Sequence, residues 1–147
     1  MPVKFRAVIA SNLMTTNGHR YSTDALTEMV RKINTDGAYV APDSSSPLAI
    51  QSIAGKLTRA EIQVGDGLLE VVVDGHTMST PHGKVLESLL QEIVPHPNDS
   101  AVVIVPVGTG NVVDEEVQGY SLEFVAMCPK EQCAMLTARI LSVSEGS

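Results

Sequence analysis

The chain predicts an α+β fold: a mostly antiparallel, barrel-like sheet with two main helices. Three observations predict it. The hydrophobic share of 44% is ordinary, but it is skewed toward Val, Ile, Leu and Ala, with two Phe, three Tyr and no Trp. An aliphatic, β-branched core of this kind favours strands over a helical bundle. Several segments alternate polar and apolar residues with a period of two, as a strand with one wet and one buried face requires. Two others space apolar residues at helical intervals behind a capping hydroxyl. At 147 residues the chain makes a single domain, 1–147, with one core of ordinary size.

Val3, Phe5, Ala7 and Ile9 alternate with Lys4 and Arg6 to give the first strand. A turn-rich loop follows, in which Asn17-Gly18 is a strong turn dipeptide. Ser22 then caps a helix that opens with Thr23 and Asp24 and buries Ala25, Leu26, Met29, Val30 and Ile33. Arg31 and Lys32 fall in its expected last turn, and the helix is expected to end between Asn34 and Gly37. Residues 41–49, APDSSSPLA, carry two prolines and three serines without periodicity and read as an exposed, mobile loop. Beyond them, IAGKLTRAEIQV and LLEVVVDG flank Gly65-Asp66-Gly67, the composition of a hairpin whose turn needs positive φ.

Ser79-Thr80-Pro81 starts the second helix, with a hydroxyl cap and proline in the first turn. Val85, Leu86, Leu89, Leu90 and Ile93 form its expected buried stripe. The remaining strands are expected at Ala101–Val107, near Val112, at Gln118–Ala126 and near Thr137–Val143, with a short helix after Pro129. Gly108 and Gly110 are read as a corner between strands, and the last residues, SEGS, are expected to fray.

A net charge of −7, with ten scattered Lys and Arg, opposes nucleic-acid binding, which needs clustered cations to displace counterions. Aromatic platforms for stacking bases are lacking too. The opening MPVKFRAVIAS is too short and too interrupted by charge for a signal peptide, and no apolar run approaches the roughly twenty residues that span a bilayer. A soluble intracellular product is therefore expected. Cys128 and Cys133 in CPKEQC fit neither a zinc ribbon nor a CxxC pair and read as free thiols, with a local disulfide as the alternative in an oxidising setting.

His76 and His82 flank Ser79, with Asp74 as an available acid. These are the residue types of nucleophilic catalysis, but Ser79, Thr80 and Pro81 are already explained as a helix start. His19 and His96 read as exposed loop residues, and no histidine pair has a metal-binding spacing. Gly108-Thr109-Gly110 lacks the following Lys and the strand-to-helix setting of a phosphate loop. No cofactor or metal is expected.

The order of motifs resembles a known family. Asn17-Gly18-His19-Arg20-Tyr21, between a strand and a helix, is similar to the Asn-x-Asn-Gly-Arg-x-Tyr opening of prohead maturation proteases of tailed bacteriophages, whose fold is related to herpesvirus assemblin. GKLTRAEIQVGDGLLEVVVDG resembles the central hairpin of that family. STPHGKVLESLLQE, with Thr80, Pro81 and Gly83, resembles its Thr-Pro-x-Gly helix start. VVIVPVGTGNV resembles its strand Gly-Val-Ser-Ser-Arg-Gly-x-Gly-Ser-Val, and YSLEFVAMCPKEQCA resembles its closing segment. The likeness covers most of the chain.

Two departures govern the functional reading. Where the family has Ser-Ser-Arg, this chain has Val105-Pro106-Val107, which cannot attack a carbonyl and offers no charged oxyanion partner. Where the family has a catalytic His before the hairpin, residues 39–47 contain none. A frame without nucleophile and base implies a binding module. The resemblance then implies a non-catalytic virion protein: a capsid decoration or cement protein, made in the host cytoplasm, whose partner is the assembled lattice of the major capsid protein. Self-association on the shell is compatible with it. Binding is expected to be weak for a free monomer and stronger on a lattice, since aromatic anchors are few and many copies act together. The alternatives are an active serine-type prohead protease with a rearranged site, built on Ser121 or on Ser79 with His82, and an unrelated binding domain or other virion component.

Overall fold

Each helix begins where a hydroxyl can satisfy the first free amides. Ser22 Oγ accepts from the Ala25 N–H at 3.0 Å and starts α1, Thr23–Asp36. Gly37, at φ 72°, ends it by donating its N–H to the Ile33 carbonyl. The helix thus runs one turn beyond Arg31 and Lys32, which pair within it to Glu28 and Asp36 rather than occupying its last turn. Thr80 caps α2, Pro81–Glu92, by accepting from the Gly83 N–H at 2.9 Å, and its hydroxyl donates to the Ile53 carbonyl. In the computed structural model, which describes residues 3–43, 53–65, 67–92 and 101–145, α2 buries Gly83, Leu86 and Leu90. Val85 is more than half exposed, contrary to the expected stripe. The Ser-rich stretch, Ile93 and His96 lie outside the described residues.

The strands are β1 (Val3–Ser11), β2 (Arg20–Tyr21), β3 (Ala38–Ala41), β4 (Gly55–Gly65), β5 (Leu68–Thr77), β6 (Val102–Val113), β7 (Glu116–Pro129) and β8 (Arg139–Glu145). They form one curled sheet in the order β2-β7-β3-β4-β5-β1-β8, with β6 on β7. The α+β class and the two helices stand as the sequence predicts. The sheet is mixed, closing halfway to a barrel: β2 and β3 both run parallel to β7, and the other pairs are antiparallel.

The parallel pairs have a simple cause. β2 joins β7 at Glu116 and Val117, and β3 joins it at Val125 and Ala126. The 14 residues of α1 carry the chain between them, and a helix of that length covers about 21 Å, near the roughly 26 Å that eight strand residues span. α1 packs on the inner face of the sheet, and its Leu26, Met29 and Ile33 meet Val71, Val73 and Leu57 in the core, all buried.

The β4–β5 hairpin matches its sequence signature, with Gly67 at φ 79°. The β6–β7 hairpin departs from the expected corner. Gly108 and Gly110 lie within a continuous β6, where the register with β7 shifts between Val107 and Gly108 and again between Thr109 and Asn111. The reversal comes later, at Asp114 and Glu115, both at positive φ. Likewise β8 continues through Ser144 and Glu145, within the segment expected to fray.

Candidate functional site

Two of the motifs singled out in the sequence meet in space. The chain between β1 and β2 is tied down by backbone bonds: Gly18 N–H to Thr15 O at 3.0 Å, Thr15 N–H to His19 O at 2.8 Å, and Thr16 N–H to Ala134 O at 3.1 Å. Gly18, at φ 84°, supplies the left-handed residue of the Asn17-Gly18 turn. Arg20 N–H then reaches Glu115 O, and Ser22 N–H reaches Val117 O, fastening β2 to β7. This brings Asn17, His19 and Tyr21 to the same cleft as Val105, Pro106 and Val107.

The cleft consists of two adjoining hollows that share His19, Tyr21, Pro106 and Val107. One, of about 330 Å³, extends along the hairpin to Gly108, Gly110, Val112, Val117 and Tyr120. The other, of about 300 Å³, extends to Cys128, Gln132, Cys133 and Met135. Gly108 is required by close approach: a Cβ there would run into the Ser121 carbonyl and lie 2.9 Å from the Tyr120 hydroxyl. Pro106 is tolerated because β6 pairs only with β7 among the described residues, so an amide on its other side is not needed there.

Tyr21 and Tyr120 stack edge to face, with ring centres 5.2 Å apart. The Tyr120 hydroxyl is buried and meets no hydrogen-bond partner among the described residues. Burial, and then the neighbouring Tyr21, drive its pKa far above the usual tyrosine value. Burial also raises Tyr21 and the Cys133 thiol, whose Sγ donates to the Met135 carbonyl at 3.3 Å. Cys128 and Cys133 are free thiols on the same wall. Burial holds Tyr21, Tyr120 and Cys133 in their neutral forms, as an apolar recognition surface would hold them and an activated nucleophile would not be held.

The remaining candidates lie elsewhere. Thr80, Pro81 and Gly83 form the joint at the start of α2, where a side chain at Gly83 would collide with the Met78 carbonyl. Ser79 and His82 are exposed there. Ser121 is exposed on β7 opposite Thr109. Gly18 and Arg20 shape the approach to the cleft, Arg20 reaching Glu116 at 3.8 Å. Sequence reasoning missed Tyr120 and the two cysteines as cleft residues. The small residues at 108 and 110 were the available signal, since they open β6 to the ring of Tyr120.

Among the described residues no group of three or more His, Cys, Asp or Glu is arranged to hold a metal, and no helix is long and apolar enough to cross a membrane. No protein-family model, curated protein or solved structure matches this chain.

Proposed function

We propose that this chain is a catalytically degenerate relative of the prohead maturation proteases, with their assemblin-like fold, that serves as a capsid decoration or cement protein. It binds the assembled lattice of the major capsid protein and resides in the virion. The observation that carries this reading is the cleft: the Asn17–Tyr21 segment and the Val105-Pro106-Val107 segment, which resemble two separate family motifs, come together there. At the position that resembles the family's nucleophile the cleft offers Val, Pro and Val, and such groups bind apolar surface but do not cleave peptides.

The chemistry of the rest of the cleft supports a binding role. The neutral phenols of Tyr21 and Tyr120, the neutral thiol of Cys133, apolar walls and an open outline give modest affinity per copy, and repetition on a symmetric shell multiplies it. Co-sedimentation of the purified protein with assembled shells and with isolated capsid subunits tests this. Retention on shells at least about tenfold stronger than on subunits is expected. Equal affinity for both, or cleavage of the capsid protein, would overturn it.

A further inference from the structure

We propose that the outer half of β6, Gly108–Val113, is a self-pairing edge through which two copies of this chain join their sheets antiparallel about a two-fold axis. The proposal names a surface and goes beyond the capsid reading, on which it does not depend.

Two free strand edges of the sheet are treated in opposite ways. Beyond its short pairing with β3, the edge of β4 is blocked: the Asn34 side chain accepts from the Ala60 N–H at 2.8 Å and donates to the Ala60 carbonyl at 2.9 Å, as a neighbouring strand would. The same strand carries Arg59 and Glu61, charges that discourage edge-to-edge pairing. β6 has neither device in its outer half. Among the described residues it pairs only with β7, and residues 101–113 contain no charged side chain. Val112 and Val113 are 58% and 47% exposed.

The edge's own sequence pairs with itself, and charge sets the direction. With Gly110 opposite the partner's Asn111, Val112 falls opposite Thr109 and Val113 opposite Gly108, β-branched and small residues with no like charges facing. Each acidic tip, Asp114 to Glu116, then lies beyond the far end of the other's free edge. Asp114 of one copy stands opposite Val107 of the other, so the two Asp114 residues are seven positions apart, roughly 23 Å at the strand rise. That exceeds the Debye length of about 8 Å at physiological ionic strength, so the tips are screened. Parallel pairing would set them side by side.

A ladder of six residues buries much less than the roughly 1,200 Å² of a stable specific interface. Pairing is therefore weak in dilute solution and populated where copies are concentrated on a surface. Because each chain carries a net charge of −7, added salt strengthens it, opposite to an interface built on ion pairs.

Sedimentation velocity of the full chain, from about 10 μM to 1 mM at low and high salt, provides the test, with amide exchange at Gly108–Val113 followed across the same range. The expected result is a weak dimer that tightens with salt and protects those amides. Thr109→Lys and Val112→Lys weaken it at least about tenfold, whereas Val64→Lys on the other hairpin does not. A monomer throughout, a dimer that both lysine variants leave intact, or amides whose exchange ignores concentration would overturn the proposal.

Discussion

The β4–β5 hairpin and the β6–β7 hairpin are built on similar sequence signals, apolar alternation around glycine, yet they present opposite surfaces. In the first, Arg6 from β1 pairs with Asp74 on β5 and with Glu61 on β4, so three strands are laced together across their outer face. These contacts raise the Arg6 pKa and lower that of Glu61. The inner face buries Leu57, Val71 and Val73. In the second, the strand register slips twice, the exposed residues include Val112 and Val113, and β6 carries no charge. The difference teaches a division of labour: the first hairpin completes a core and discourages contacts, while the second gives up regularity to form a cleft and a free edge.

The sharpest break of this contrast is a cavity in the first hairpin. Leu57→Ala, at a fully buried site, is expected to cost about 3 kcal/mol in urea unfolding, the usual range for a buried leucine. A loss under about 1 kcal/mol would mean that β4–β5 is not the scaffold.

A smaller effect is expected in the second hairpin. Gly108→Ala forces a methyl group against the Ser121 carbonyl and the Tyr120 hydroxyl, at about 2 kcal/mol. Amide exchange should quicken in β6 and β7 before it does in β4 and β5. Unchanged stability would show that the close approach of β7 to Gly108 is not real.

The smallest concerns Tyr120. Its buried hydroxyl lacks a partner among the described residues, so Tyr120→Phe is expected to change stability by no more than about 1 kcal/mol at neutral pH, in the favourable direction. Burial holds the folded pKa above the usual tyrosine value. Its contribution is therefore fully present below the unfolded pKa and is lost as pH rises toward the folded one. The variant should accordingly lose stability less steeply above pH 10 than the parent, read from urea midpoints. A steeper loss would contradict the burial of the phenol.

Much of the fold was legible because local signals and tertiary packing agree. Ser22 and Thr80 cap the two helices as their sequence positions predict, α1 ends within the expected Asn34–Gly37 range, and Gly67 takes its positive φ. What was missed depends on long-range pairing. β2 is two residues long and β3 four, too short for a period; β2 forms on the parallel edge of β7, and β3 between β7 and β4. Glycine usually marks a corner, which is what Gly108 and Gly110 suggest in the sequence, whereas here each allows β7 to approach within a strand. Val85 fits the helical stripe of α2 but faces outward, since no element covers that flank among the described residues. Of the candidate site, the motif at Asn17–Tyr21 and the lack of a nucleophile at Val105–Val107 were both readable. Their meeting with Tyr120, Cys128 and Cys133 was not, because sequence spacing carries no information about a cleft assembled from β2, β6 and β7.

The shell-binding role proposed for this protease-like frame requires the chain to be a fixed part of the particle. The most direct measurement is the copy number of this chain in purified mature virions, by quantitative peptide mass spectrometry against the major capsid protein. A fixed ratio to the shell, with many copies per particle, is expected. Presence only in immature particles, as for a maturation enzyme, or absence from both kinds of particle would contradict it.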